Sequence, residues 1–252
     1  MRATPPPAHH ALVTEHTIYS CVMGSRAFGL ATEASDTDRR GVFVAPTPLF
    51  WGFDKPPTHV EGPEEERFSW ELERFCELAL RANPNALEIL HSPLVEHVDA
   101  TGRELLELRG AFLSRRAHQS HVGYARAQYR RFRQEAPRWK HVMHMLRLLT
   151  SCRDLLRTGA LTPDVGEGRE GLLAVRRGEV PWVRVEAWAA RLFEECEEAL
   201  RGTPLPEEPD TARVEDFLVR VRRTGAVPRA QAPDGRCALS SSAGPAESPS
   251  GA

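Results

Sequence analysis

The 252-residue chain has no Cys-x-x-Cys pair, no apolar run near the ~20 residues that span a bilayer, no internal repeat and almost no net charge. Each absence removes a class of function. The five cysteines, Cys21, Cys76, Cys152, Cys196 and Cys237, are scattered, which argues against a disulfide framework or a structural zinc site. They read as buried or incidental thiols of a reducing cytosol. The opening "MRATPPPAHHALVTEH" lacks the apolar core of a signal peptide, so the expected compartment is the cytoplasm, with no membrane contact. With 33 basic against 35 acidic side chains, the net charge of −2 gives no general attraction to polyanions. Any contact with nucleic acid must be a local patch.

What is present is enough apolar sequence, 41%, for a real core. Residues 1–16, rich in proline, histidine and alanine, are expected to be loosely ordered, and so is the small, polar, proline-punctuated tail 224–252. Three strand-like runs follow the N-terminus: "TIYSCVM" (Thr17 to Met23), "RGVFVA" (Arg40 to Ala45) and "RFSW" (Arg67 to Trp70). From Glu71 the period becomes helical, with Leu72, Phe75, Cys76, Ala79 and Leu80 on one face before "NPN" interrupts. Further helices are expected over 117–134, over 139–158 ending at Gly159, around 168–175, over 181–200 and over 211–221. The class is α+β: a small mixed-sheet head over 17–95 and a helical domain over 96–223.

The stretch "CVMGSRAFGLATEASDTDRRGVFV" carries the chemistry. Side chains at i and i+2 of a strand share a face, so Asp36 and Asp38 converge before the second strand, and two like charges that close call for a cation. Their hard oxygens suit Mg²⁺, which shares its shell with substrate phosphates. Gly24 and Ser25, at the end of the first strand, let the backbone approach a phosphate closely, and Arg40 joins this nucleotide-binding set. Alone, "SDTD" is also ordinary turn chemistry.

"MGSRAFGLATEASDTDRRGVFV" resembles the signature of the DNA polymerase beta-like nucleotidyltransferases, Gly-Ser followed by Asp-x-Asp. With "ELERFCELALRANPNALEILHSP", "GYARAQYRRFR" and "WKHVMHMLRLLTSCRDLLRTGALT", the chain from Ile18 to Arg222 is similar to the RNA-repair-associated branch known as the RlaP family. Arg39 departs from the resemblance, because an apolar residue is usual there. The resemblance implies a polymerase beta-like head and an NTP substrate. It implies a two-ion Mg²⁺ site, with the ions about 3.5 to 4 Å apart, and a third carboxylate on a neighbouring strand. The candidates for that carboxylate are Glu66 and Glu71. Glu66 is preferred, because the resembling sequences tend to carry an acid there, whereas Glu71 would simply open the following helix.

Lys140, His144 and Arg147 recur on one stripe of the helix from Trp139, facing either the nucleotide or solvent. His141 and His144 lack the further ligands of a zinc site. Arg126, Arg130 and Arg133, with Tyr124 and Tyr129, would give an RNA acceptor a basic face, though a solvated face is the commoner meaning of such a pattern. In "NPNALEILHSP", Asn83 or Asn85 caps a short helix, and a cleft-facing Glu88 is the weaker reading. The expected activity is Mg²⁺-dependent transfer of a nucleoside monophosphate from an NTP to a hydroxyl, with an RNA 3′ end implied by the resemblance. The alternative is an inactive nucleotide- or RNA-binding module of the same fold.

Overall fold

The computed structural model describes residues 8–132 and 138–226. Five strands, β1 (Thr17–Val22), β2 (Arg39–Phe43), β3 (His59–Glu61), β4 (Arg67–Glu71) and β5 (Val95–Val98), form one mixed sheet in the order β3-β4-β2-β1-β5. β1 is antiparallel to β2 and β5, β2 is parallel to β4, and β3 is antiparallel to β4. This pattern positions the site. Parallel β2 and β4 both start at one end of the sheet, and antiparallel β1 finishes there. The residues just before Arg39, just before Arg67 and just after Val22 are thereby collected at a single edge.

The three strand-like runs of the sequence are β1, β2 and β4. β3 has only three residues, too few for an alternation to register. β5 lies at the expected boundary between head and helical region, and its "VEHV" is mostly exposed, so its sequence lacks the apolar signature of a buried strand. Arg39, the departure from the resemblance, is half-exposed and pairs with Glu96 of β5 at 3.1 Å.

The N-terminus differs from the loose segment expected over 1–16: from Ala8 it forms a helix, α1 (Ala8–His16). Val13 is buried with Phe43, Ala45 and Val60 in a small core under the edge of the sheet, and the His10 ring bonds the Glu61 carbonyl oxygen at 2.9 Å. A short helix α2 (Gly24–Ala27) follows β1. α3 (Leu72–Leu80) is capped by the Glu71 carboxylate, which accepts from the Glu73 amide at 2.8 Å, and α4 (Pro84–Ile89) by Asn83, which accepts from the Ala86 amide.

α5 (Ala100–Glu107), capped by Asp99, leads to the long helices α6 (Arg116–Phe132) and α7 (Trp139–Thr158). α7 stops at Gly159, whose φ of 74° is the left-handed cap that glycine adopts without strain. α8 (Arg169–Arg176), α9 (Trp182–Arg201) and α10 (Thr211–Ala226) complete the chain. One contiguous core joins Tyr19 and Val42 of the sheet to Leu146 and Leu149 of α7, Leu192 of α9 and Phe217 of α10.

Arginines tie the helices to the head. Arg169 donates to the carbonyls of Gly29 and Ala31 beyond α2. Arg222 on α10 reaches back to Glu71 at 2.8 Å and lies over the Phe50 ring. Cys21, Cys76, Cys152 and Cys196 are free and buried, and burial pushes the Cys76 thiol up to about 12; Cys237 and the tail from 227 lie outside the described residues. Among the described residues no helix is long and apolar enough to cross a membrane.

Candidate active site

At the edge where β2 and β4 start, Asp36, Asp38 and Glu66 each offer a carboxylate oxygen within 4.8 Å of the others. Asp36 and Glu66 are exposed and Asp38 is half-buried. The backbone holds Asp38 in place, its carbonyl accepting from the Met23 amide at 2.8 Å at the end of β1. Its carboxylate meets Arg40 at 3.3 Å. Arg26 of α2 donates to the carbonyls of Ser35 and Asp36 and so pulls the intervening loop onto the helix that carries Gly24 and Ser25.

Glu66 stands at φ 57°, a left-handed conformation that a non-glycine residue adopts at a cost of about 1 to 2 kcal/mol. Two contacts hold it there: its carbonyl accepts from the Arg39 amide at 2.9 Å and from Arg40 Nη1 at 3.1 Å. Glu71 lies at the far end of β4. It is buried, and it caps α3, accepts from the Ala45 amide and pairs with Arg222.

Asp36 and Asp38 line a cleft of about 610 Å³ between the sheet edge and the helical region, with Glu66 within 4.8 Å of both. Gly24, Ser25 and Arg40 line its sheet side; Lys140 and His144 of α7 and Arg176 of α8 line the other. Gly24 has φ 64°, which favours glycine, and a Cβ there would meet Asp38 Oδ2 at 1.9 Å, so any side chain would have to displace that carboxylate. Lys140 is exposed and is one of only two lysines in the chain. Burial and the nearby Arg147 charge lower the His144 pKa to about 4, so the ring is neutral at pH 7 and offers hydrogen bonds rather than charge.

The polar stripe of α7 does not continue as a solvated face. Arg147 is fully buried beneath the cleft and bound through two hydrogen bonds, of 2.7 and 3.3 Å, to the equally buried Glu88, with its guanidinium 3.7 Å from the centre of the Phe28 ring. Asn83 caps α4 as the sequence suggests, and Glu88 of that helix borders the cleft together with Asn85, its carboxylate buried and held by Arg147. Sequence reasoning missed Arg176, Asn85, Phe68 and Trp70 as cleft residues. The aromatic alternation of "RFSW" was the signal available for the last two.

The basic face of α6 is less free than its sequence suggests. Arg126 pairs with Glu197 of α9 at 2.9 Å and approaches the Phe193 ring, Arg130 is exposed, and Arg133 lies outside the described residues. The oxygen donors of the triad are of the kind that holds Mg²⁺.

A family model described as RlaP, the RNA repair pathway DNA polymerase beta family, matches residues 7–220. An uncharacterized protein of Bacillus subtilis (strain 168), YcgL, is 26% identical over 152 residues. The match covers 58% of this chain and 58% of that protein. No solved structure matches.

Proposed function

Because the chain belongs to the RNA repair pathway DNA polymerase beta family, we propose that it is a nucleotidyltransferase that moves a nucleoside monophosphate from an NTP to a hydroxyl, with an RNA 3′ end as the acceptor. The observation that carries this reading is the convergence of Asp36, Asp38 and Glu66, the two aspartates lining a cleft that also holds Gly24, Lys140 and Arg176.

Mg²⁺ held by the three carboxylates would supply charge neutralisation for the phosphates and a more acidic acceptor hydroxyl. The protein's own groups do the rest. Gly24, lacking a side chain, keeps the chain beyond β1 clear of Asp38 and open to the triphosphate. Lys140 and Arg176 face that position with positive charge. Glu66 orients the acceptor hydroxyl and takes its proton. The acceptor oxygen then bonds to the α-phosphorus as the bond to the bridging oxygen breaks, and pyrophosphate leaves with the electron pair. His144, neutral, serves as a hydrogen-bond partner in the cleft.

The test is pyrophosphate release and thermal stability of the purified protein with Mg²⁺ and each NTP, for the wild type and for Asp38→Asn. The expected result is a ligand-induced rise in Tm and turnover in the wild type, both lost in the variant. An equal rise in both proteins would remove Asp38 from the nucleotide site. A rise in the wild type without turnover on any RNA, protein or small-molecule hydroxyl would favour the inactive binding module.

A further inference from the structure

β4 carries an aromatic ledge beside the carboxylates. Phe68 and Trp70, two and four residues beyond Glu66, both line the cleft and are both half-buried, with ring centroids 4.4 Å apart. His59 of β3 stacks on Phe68 at 5.1 Å and 9°, and Trp70 leans on Phe75 of the core, so the rings are braced from the side and from below. In the parallel register Phe68 sits opposite Arg40 and Trp70 opposite Val42, which sets the ledge next to the strand that follows Asp38.

We infer that Phe68 and Trp70 form the stacking surface for the terminal base of a single-stranded RNA acceptor; the inference rests on the carboxylate edge being the transfer site. The order of groups across the sheet carries the argument. Gly24 and Ser25 follow β1, Asp38 precedes β2, and Glu66 precedes β4, so the three stand in sequence along one edge. Phosphoryl transfer places the incoming and departing oxygens roughly in line on opposite sides of the phosphorus. With the triphosphate at Gly24, pyrophosphate departs on the β1 side and the acceptor approaches on the β4 side, where Glu66 and the ledge are. Flat π-faces beside the hydroxyl-orienting carboxylate suit an unpaired nucleobase, which stacks whatever its identity. A seryl or small-molecule hydroxyl has no base to place there.

The experiment measures binding of a short labelled single-stranded RNA by fluorescence anisotropy, alongside the same RNA with an abasic 3′-terminal nucleotide. The wild type should bind the intact end about five- to tenfold more tightly than the abasic one. Phe68→Leu should close that gap, and Phe68→Tyr, which keeps the ring, should restore it. Equal binding of the two RNAs by the wild type, or no RNA binding at all, would overturn the inference. So would a Phe68→Leu protein that loses the Tm rise induced by Mg²⁺ and NTP, since the ledge would then hold the base of the NTP. Anisotropy needs no turnover, so this outcome is independent of whether Asp38→Asn abolishes transfer.

Discussion

A Cβ on Gly24 would stand 1.9 Å from Oδ2 of Asp38, so the end of β1 and the carboxylate before β2 occupy space that only hydrogen can share. Gly24→Ala must therefore displace Asp38 as well as strain a backbone at φ 64°. The expected result is loss of the Mg²⁺- and NTP-induced Tm rise, with destabilisation of at least ~1 kcal/mol from the backbone alone. A thermal shift assay with and without ligand reads both effects.

Glu66 and Glu71 close the two ends of one strand and should fail differently. Glu66→Gln should abolish transfer while leaving Tm nearly unchanged, since its carboxylate is exposed. Glu71→Gln should cost about 2 to 4 kcal/mol in denaturant unfolding, because Arg222 loses the charge that pairs it and α3 loses a charged cap. If Glu71→Gln abolishes transfer without lowering stability, the third carboxylate has been misplaced.

The buried pair Glu88 and Arg147 should behave as a unit. Either Glu88→Gln or Arg147→Met leaves the partner charge dry and unmatched, and each should cost about 3 to 5 kcal/mol. The double variant Glu88→Gln plus Arg147→Met should cost clearly less than the sum of the two single changes, as a double-mutant cycle in urea would register. Additive losses would show that the two side chains act independently.

α1 should be needed for full stability. Val13→Ala removes two carbons from a fully buried position and should lower stability by about 1 to 2 kcal/mol, at roughly 0.8 kcal/mol per buried CH₂. Deleting residues 1–16 should lower Tm further by uncovering Phe43 and Val60. An unchanged Tm after deletion would mean that α1 contributes no packing energy.

Acid should destabilise the fold through its buried histidines. Burial, reinforced by Arg109 for His91 and by Arg147 for His121, lowers both pKa values to about 4, against an ordinary value near 6.5. Below about pH 6.5 the unfolded chain therefore binds more protons than the folded one, and stability is lost as pH falls towards 4, at up to ~1.4 kcal/mol per unit for each histidine. Denaturant unfolding across this window should show that decline, and His121→Gln should make it shallower.

The residues of the candidate site were legible because they are written in short spacings, Gly24 and Ser25 after an apolar run and Asp36 and Asp38 before another, as were the helix ends at Gly159 and around Asn83. A period of two or of 3.6 residues is a property of neighbouring positions, so sequence alone determined most strands and helices and the α+β class. Which distant residues meet was decided by the tertiary structure. The parallel register of β2 and β4 sets Glu66 beside the aspartates, and only the left-handed backbone at Glu66, held by Arg39 and Arg40, turns that residue into its place. Arg147 belongs by spacing to the same stripe as Lys140, yet it lies buried against Glu88, because its surroundings are set by elements some sixty residues away. Charge and periodicity are carried by the chain locally, whereas burial and partnership exist only once long-range contacts have closed.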